Sequence, residues 1–459
     1  MKKVSASAPA NNPGGCRELA VEILFKVETR KAYADILLDH LLKRTALQAR
    51  DRALLTQLVY GTLRWRGRLD WHLNRFLSRS LAATKPYLRN LLRLTLYQLL
   101  FLDRVPDYAA VNEAVELAKR RGGKKAGGLV NAVARAVLRE RERQGPDLEG
   151  DSVARLAVSC SHPEWLVKKW LDYIGADETE ALLKANNHEP FLTLRANRLR
   201  GERAALLELL RAQGFDAEPA PWAPQGIRLK HGSAPDRLPG FEQGLFQVQG
   251  EASQLIAYIL DPQPGERILD GCAAPGGKTT HIAELMEDRG EVIATDLSAR
   301  GLEKLKQNVR RLTVTSVKSF LVDLQKGLTG ALAAPYDRIL VDAPCSGLGT
   351  LRSHPEAKWH REERDIQRLS RLQKKLLGRA GGYLKAGGVL VYSTCTLTRE
   401  ENEEVVEDFL DREKNWVLES VEGYLPREAR HLIRGKYFLA LPHKHDTDGF
   451  FAARMRKTR

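Results

Sequence analysis

The chain has little of what a secreted, metal-stapled or membrane protein needs. Only five cysteines occur among 459 residues: Cys16, Cys160, Cys272, Cys345 and Cys395. Their number is odd, their spacing is wide and no C-x-x-C pair occurs, which argues against a disulfide framework and against a cysteine zinc cage. The expectation is free thiols in a reducing, cytoplasmic compartment. The opening residues, MKKVSASAPANNPGGC, lack the apolar core of a secretory signal and read as a disordered lead-in. Long hydrophobic runs are missing too. The most apolar one, LLRLTLYQLLFL from Leu91, is too short for a bilayer and carries Arg93, so it reads as a buried helix and no membrane partner is expected. Acidic residues are in deficit, 58 against 73 basic ones, for a formal net charge of +15. That excess favours a polyanionic partner through counterion release, without naming it.

The length exceeds what one hydrophobic core usually serves, and three patterns follow one another. Over 16–145 the apolar residues recur at helical spacing, as in Leu54, Leu55, Leu58, Val59 and Leu63, which predicts an all-helical domain. Two basic clusters lie in it, RWRGR (64–68) and KRRGGKK (119–125). Each reads as readily as a solvated helix end as it does a phosphate contact. A polar stretch at 145–152 leads into 153–245, where FLTLRANRL, ERAALLELLRAQG and GIRLKH predict a small α+β module. Over 246–459 strand and helix alternate: ERILDGCAA, EVIATDL, SVKSFLVD, DRILVDAPC and GVLVYSTC are the apolar runs. Such βαβ repetition predicts a doubly wound sheet with ligands at the carboxyl ends of its strands. Asp270, Asp296, Asp323, Asp342, Cys345 and Cys395 all fall at those ends. One strand-end aspartate is usually a cap or a turn residue; four with two thiols point to a site.

Three ligands compete for DGCAAPGGKTT (270–280). The G-x-G-x-x-G of a dinucleotide site is absent. The tail GKT suits a nucleoside triphosphate, but Gly271 and Gly277 enclose five residues where the phosphate loop requires four. S-adenosylmethionine is the third candidate. It needs a turn that lets the backbone approach its methionine part, here Cys272, Ala273, Ala274, Pro275, Gly276 and Gly277 leading to Lys278, with Asp342 on a neighbouring strand end. It also needs an acid for the ribose hydroxyls, and Asp296 is placed for that role. Asp323, at the third strand end, is placed to accept from the adenine amino group.

At this point the motifs DGCAAPGGKTTHIAELM, TDLS, VDAPCSGLGT, YSTCTLTREENEEVV and DTDGFFAARM closely resemble those of RNA (cytosine-5)-methyltransferases of the RsmB/Sun group, within the Sun/NSUN family. The N-terminal RDRALLTQLVYGTLRWRGRLDW looks like the NusB-like helical domain of that group. The resemblance implies an all-α NusB-like N-terminal domain, a small RNA-recognition-like α+β module and a C-terminal α/β Rossmann-like methyltransferase domain. It also implies a cytoplasmic, monomeric enzyme, without membrane or metal, that uses S-adenosylmethionine to make 5-methylcytidine in 16S ribosomal RNA. One departure stands out: in VQGEASQL, Gly250 replaces an aspartate common in similar proteins, which weakens an inference about contacts of Gln249.

The chemistry explains two thiols. Carbon 5 of cytosine is a poor nucleophile, so a thiolate adds to carbon 6 and generates an enamine-like adduct that attacks the methyl sulfonium. The resemblance implies Cys395 of STC as nucleophile and Cys345 of PCSG as the thiol that helps release the product. It gives Asp342 the ring nitrogen and amino edge of the base, with Lys278 polarising the base or positioning that carboxylate. His443 and His445 in LPHKHDTDG lack a recognised ligand spacing, so no metal is expected there, and Cys16 and Cys160 are expected to be inert. Two other readings remain: a non-catalytic RNA-binding or ribosome assembly factor, and a P-loop-like nucleotidase.

Overall fold

The structure, a computed structural model, describes residues 15–140, 151–230 and 234–458. The lead-in over 1–14, most of the polar stretch at 145–152, and His231 of GIRLKH lie outside the described residues. The chain forms two compact units, one running to Lys168 together with His354–His360, the other comprising Lys169–Ser353 and Arg361–Arg459.

The first unit is helical, with Cys16–Arg30, Ala34–Arg44, Ala49–Arg64, Arg66–Phe76, Pro86–Phe101 and Asp107–Arg139 as its main helices. The apolar stripe Leu55, Leu58, Val59 and Leu63 is buried, as its 3.6-residue period requires. Helices Ala49–Arg64 and Pro86–Phe101 approach closely because position 61 is glycine; a Cβ there would sit 2.0 Å from the Tyr97 ring. Arg93, the charge within the most apolar helix, is buried and bonded to Asp70 at 2.6 Å and Glu28 at 2.8 Å. Among the described residues no helix is long and apolar enough to cross a membrane.

The two basic clusters meet different fates. In RWRGR, Arg64 is buried, Arg66 pairs with Glu28 and Asp70, and Arg68 lies over the Trp65 and Phe101 rings. Burial first, then the nearby Arg93, lowers the Arg66 guanidinium to about 10. This cluster is therefore largely an internal element. In KRRGGKK, Arg120 and Arg121 reach Glu18 and Glu22 from the outside of helix Asp107–Arg139, which kinks where Gly123 adopts φ +75°. The segment His354–His360 is packed into the same unit: Lys358 Nζ donates to the Arg64 carbonyl at 3.0 Å and Trp359 Nε1 to that of Leu63 at 2.8 Å.

The second unit holds two sheets. Strands β1 (Leu192–Ala196), β2 (Ala217–Pro219), β3 (Gly226–Leu229) and β4 (Phe246–Val248) form an antiparallel sheet in the order β2-β3-β1-β4, backed by helix Arg203–Ala212. The larger sheet contains β5 (Arg267–Asp270), β6 (Glu291–Asp296), β7 (Val317–Leu321), β8 (Tyr336–Asp342), β9 (Leu384–Thr394), β10 (Trp416–Glu419), β11 (Ile433–Arg434), β12 (Tyr437–Ala440) and β13 (Phe450–Lys457). Its order is β11-β12-β13-β9-β8-β5-β6-β7, with β10 also paired to β13. The run β7-β6-β5-β8-β9 is parallel, as the alternating pattern predicts, while β13 joins β9 antiparallel. Strand order reverses between β5 and β8, so the crevice between their carboxyl ends is the switch point where ligands of such sheets bind.

A buried ion pair ties the smaller sheet to this crevice. Arg195 on β1 contacts Glu284 at 2.6 Å and the Gly277 carbonyl at 2.6 Å, both on helix Gly277–Leu285, and also bonds Gln249 and Thr280. Arg195 and Glu284 are both fully enclosed. Removing one partner of such a pair strands the other charge, so Arg195→Met is expected to destabilise the protein by about 3–5 kcal/mol in denaturant unfolding. The double change Arg195→Met with Glu284→Met recovers most of that loss; equal destabilisation by single and double variants contradicts the coupling.

Candidate active site

The loop after β5 turns tightly into helix Gly277–Leu285. Gly276 adopts φ +99°, and a Cβ on it would meet Leu305 at 2.8 Å, so only glycine suits this position. Ala274 N donates to Asp296 Oδ2 at 3.0 Å, and Ser298 N to Asp296 Oδ1 at 2.7 Å, which joins the turn to the end of β6. Asp323, just past β7, caps the short turn Leu324–Lys326 by accepting from Gln325 N at 3.1 Å. Asp270, at the end of β5, is buried and accepts from the Thr279 hydroxyl at 2.7 Å, leaving its second oxygen without a partner. Burial pushes the Asp270 carboxyl up to about 7. Burial, and then the carboxylates of Asp270, Asp296 and Asp342, hold the Cys272 thiol well above the usual range.

Across the switch point Lys278 Nζ lies 2.6 Å from Asp342 Oδ2, and the other oxygen of Asp342 accepts from the Ser393 hydroxyl at 2.7 Å. Asp342 and Ser393 are register partners on β8 and β9, which sets their side chains next to each other. Lys278 Nζ also sits 4.9 Å from the centre of the Phe450 ring. The carboxylate is thus clamped from two sides and remains partly accessible, with 28% of its side-chain surface exposed.

The thiols meet. Cys345 Sγ and Cys395 Sγ are 3.2 Å apart, although fifty residues separate them in the chain. The contact with Cys395 first, and then burial, holds the Cys345 thiol well above the usual range. Asp342 thus ends β8 with Cys345 three residues on, Cys395 directly follows β9, and Lys278 reaches Asp342 from the first turn of helix Gly277–Leu285, which the turn 272–277 leads into. Gln249 has a defined role despite Gly250: it accepts from Arg195 and donates to the Ser253 hydroxyl at 3.2 Å. His443 and His445 do not converge on a ligand. His443 bonds Glu178 at 2.7 Å, while His445 accepts from Leu441 N at 2.9 Å, and burial pushes its ring down to about 4.

The sequence reading missed the residue that holds the two thiol loops together. Glu401, fully buried, accepts from Ser346 N at 2.8 Å, Ser346 Oγ at 2.5 Å, Gln373 Nε2 at 3.0 Å and Thr398 Oγ1 at 2.9 Å. Ser346 follows Cys345, and Thr398 follows Cys395 by three residues, so one carboxylate fixes both loops. Nothing in TREENEEVV separates Glu401 from its acidic neighbours before the fold is known. Two glycines complete the packing: a Cβ on Gly349 would lie 2.1 Å from the Gly449 carbonyl oxygen and 2.9 Å from that of Cys395.

Comparison with known proteins bears on this geometry. Residues 257–456 match the model of 16S rRNA methyltransferase RsmB/F, 15–139 that of the NusB family, and 162–234 the ferredoxin-like domain of RsmF/B-like methyltransferases. The chain is 40% identical over 445 residues to a probable ribosomal RNA small subunit methyltransferase B from Bacillus subtilis, covering 96% of this chain and 98% of that one. The chain belongs to the RsmB/F family of 16S rRNA methyltransferases. Within this family it is also similar to ribosomal RNA small subunit methyltransferase B of Yersinia pseudotuberculosis, 36% identical over 97% of this chain and 99% of the relative. The crystal structure of NSun6 from Pyrococcus horikoshii with SFG is 28% identical, covers 65% of this chain and 98% of that one, and has a TM-score of 0.58. In this RsmB/F member the all-helical, small-sheet and Rossmann-like parts expected from sequence are all present.

Asp270 supplies a pH signature. The folded protein keeps a proton on it up to about pH 7, whereas the unfolded chain loses one near the ordinary value of 3.8. The native state binds more protons across that window, so this residue makes stability fall as pH rises from about 4 to about 7 and adds no slope above it. Asp270→Asn is expected to remove that contribution. Urea unfolding at a series of pH values checks it; identical slopes in the two proteins contradict the assignment.

Proposed function

We propose that this protein transfers a methyl group from S-adenosylmethionine to carbon 5 of a cytidine in 16S ribosomal RNA through a covalent Cys395–cytosine adduct. The observation that carries this reading is the pair of thiols 3.2 Å apart beside the clamped Asp342. The relatives' names support it: those from Bacillus subtilis and Yersinia are called ribosomal RNA small subunit methyltransferase B, the former with the qualifier probable. NSun6 was solved with SFG, an S-adenosylmethionine analogue.

The residues present fit that cofactor. The glycine-hinged turn 272–277 would offer backbone to the methionine part, Asp296 would accept from the ribose hydroxyls and Asp323 from the adenine amino group. S-adenosylmethionine supplies the methyl group as an electrophile. Asp342 accepts from the amino edge of the base and from a proton on its ring nitrogen, a proton that neutralises the charge building there as carbon 6 is attacked, and Lys278 and Ser393 hold that carboxylate in place.

The two thiols divide the work. Cys345 keeps its proton and donates it as a hydrogen bond to the Cys395 sulfur, which stabilises the attacking thiolate. After the methyl transfer Cys345 gives its proton to water and its thiolate takes the carbon-5 proton; the electron pair of that carbon–hydrogen bond re-forms the ring double bond as Cys395 leaves carbon 6 as a thiolate. In the same reading residues 16–145 and 153–245 bind RNA, 246–459 carry the chemistry, and the protein acts as a cytoplasmic monomer.

Two measurements test the reading. Cys395→Ala abolishes methylation and forms no covalent species, whereas Cys345→Ala accumulates a denaturant-resistant protein–RNA band that vanishes in the double variant. The reverse pattern exchanges the roles, and full activity in both single variants removes thiol catalysis. Asp296→Ala weakens S-adenosylmethionine binding about 10-fold or more in calorimetry while leaving RNA affinity unchanged. Unaltered cofactor affinity rejects the ribose assignment.

A further inference from the structure

Outside the methyl-transfer site, one group of side chains in the helical unit has no place in the reaction. Asp35 stands in the first turn of helix Ala34–Arg44; His354 and Glu356 lie just before helix Ala357–His360. One ligand atom from each of the three lies within 4.8 Å of the other two. Glu356 is fully buried, and its Oε1 accepts from Ala34 N at 3.0 Å. Its Oε2, together with Asp35 Oδ1 and His354 Nδ1, is enclosed yet has no hydrogen-bond partner.

We propose that Asp35, His354 and Glu356 bind one divalent transition-metal cation, with Zn2+ the best fit. Two carboxylates and an imidazole nitrogen converge on a shared space where none of the three atoms has a hydrogen-bond partner, and two ionised carboxylates enclosed there without a cation face each other as like charges. One nitrogen and two oxygen ligands suit Zn2+, whereas Ca2+ and Mg2+ favour all-oxygen sets and thiolate-seeking ions find no sulfur in the group. Three protein ligands leave a fourth position for water. Bonds of roughly 2.0–2.2 Å to a tetrahedral ion put its ligand atoms about 3.4 Å apart, inside the 4.8 Å within which these three already lie. The ion would pin segment His354–His360 to the start of helix Ala34–Arg44. Its role would be a structural cross-link within the helical unit.

The test uses the full-length protein, stripped with a chelator, dialysed, and titrated with Co2+ alone and then with Zn2+ alone. One equivalent of Co2+ is expected to give visible d–d bands without a thiolate charge-transfer band, and Zn2+ to displace it. Zn2+ is also expected to raise the melting temperature of the stripped protein by roughly 5 °C. Asp35→Asn and His354→Ala should each weaken binding at least about 10-fold, the cost of losing one ligand-strength interaction. Because Asp35 is the least enclosed of the three, its conservative variant tests the site even if the histidine variant misfolds. A charge-transfer band would place the ion on cysteine thiolates and overturn the proposal. So would absence of binding, affinity that survives both substitutions, or a melting temperature that Zn2+ leaves unchanged while Asp35→Asn raises it, the mark of a shared proton.

Discussion

The meeting of the two thiol loops depends on one buried carboxylate, Glu401. Two loops must be held so that their sulfurs lie within contact distance, and loops leaving separate strands have no intrinsic reason to do so. Glu401 supplies the reason by accepting from Ser346 on one loop and Thr398 on the other. A carboxylate removed from water is tolerated only when its lone pairs are met, and here five donors meet them, Thr396 Oγ1 at 3.4 Å being the fifth. The hydrogen bonds therefore constrain each other: none of the donors can move without leaving a charged group unsatisfied. The close backbone approach at Gly349 and Gly449 removes the remaining freedom.

The sheet provides the frame. Because β5 and β8 are neighbours while their following segments leave on different sides, their ends open a crevice, and Lys278 and Asp342 bridge it. Antiparallel β13 extends this sheet beyond β9 and brings Phe450 against Lys278. On the other side of helix Gly277–Leu285, Arg195 reaches in from the smaller sheet to the first turn, the one that carries Lys278. A module that looks separate in sequence is thus wired by a buried ion pair to the helix that bears Lys278.

Much of this was legible beforehand. Regular alternation of apolar strands with amphipathic helices identified the parallel core, because a strand buried on both faces must be apolar throughout. Strand-end acids and thiols pointed to a candidate site, because ligands of such sheets bind at the carboxyl ends of the strands. The RWRGR cluster was less legible. Its arginines looked available for phosphate, but Glu28, Asp70 and the aromatic rings that engage them come from other parts of the chain.

By itself the sequence determined the element types, the strand ends where chemistry is possible, and the identity of the candidate reactive groups, because period and composition are local properties. Tertiary structure alone decided that Cys345 and Cys395 touch, that Glu401 rather than any neighbouring acid holds them, and that Asp35 meets His354 and Glu356. Those are contacts between residues tens to hundreds of positions apart. No local pattern encodes them, since they arise only when packing and strand register bring distant segments to one place.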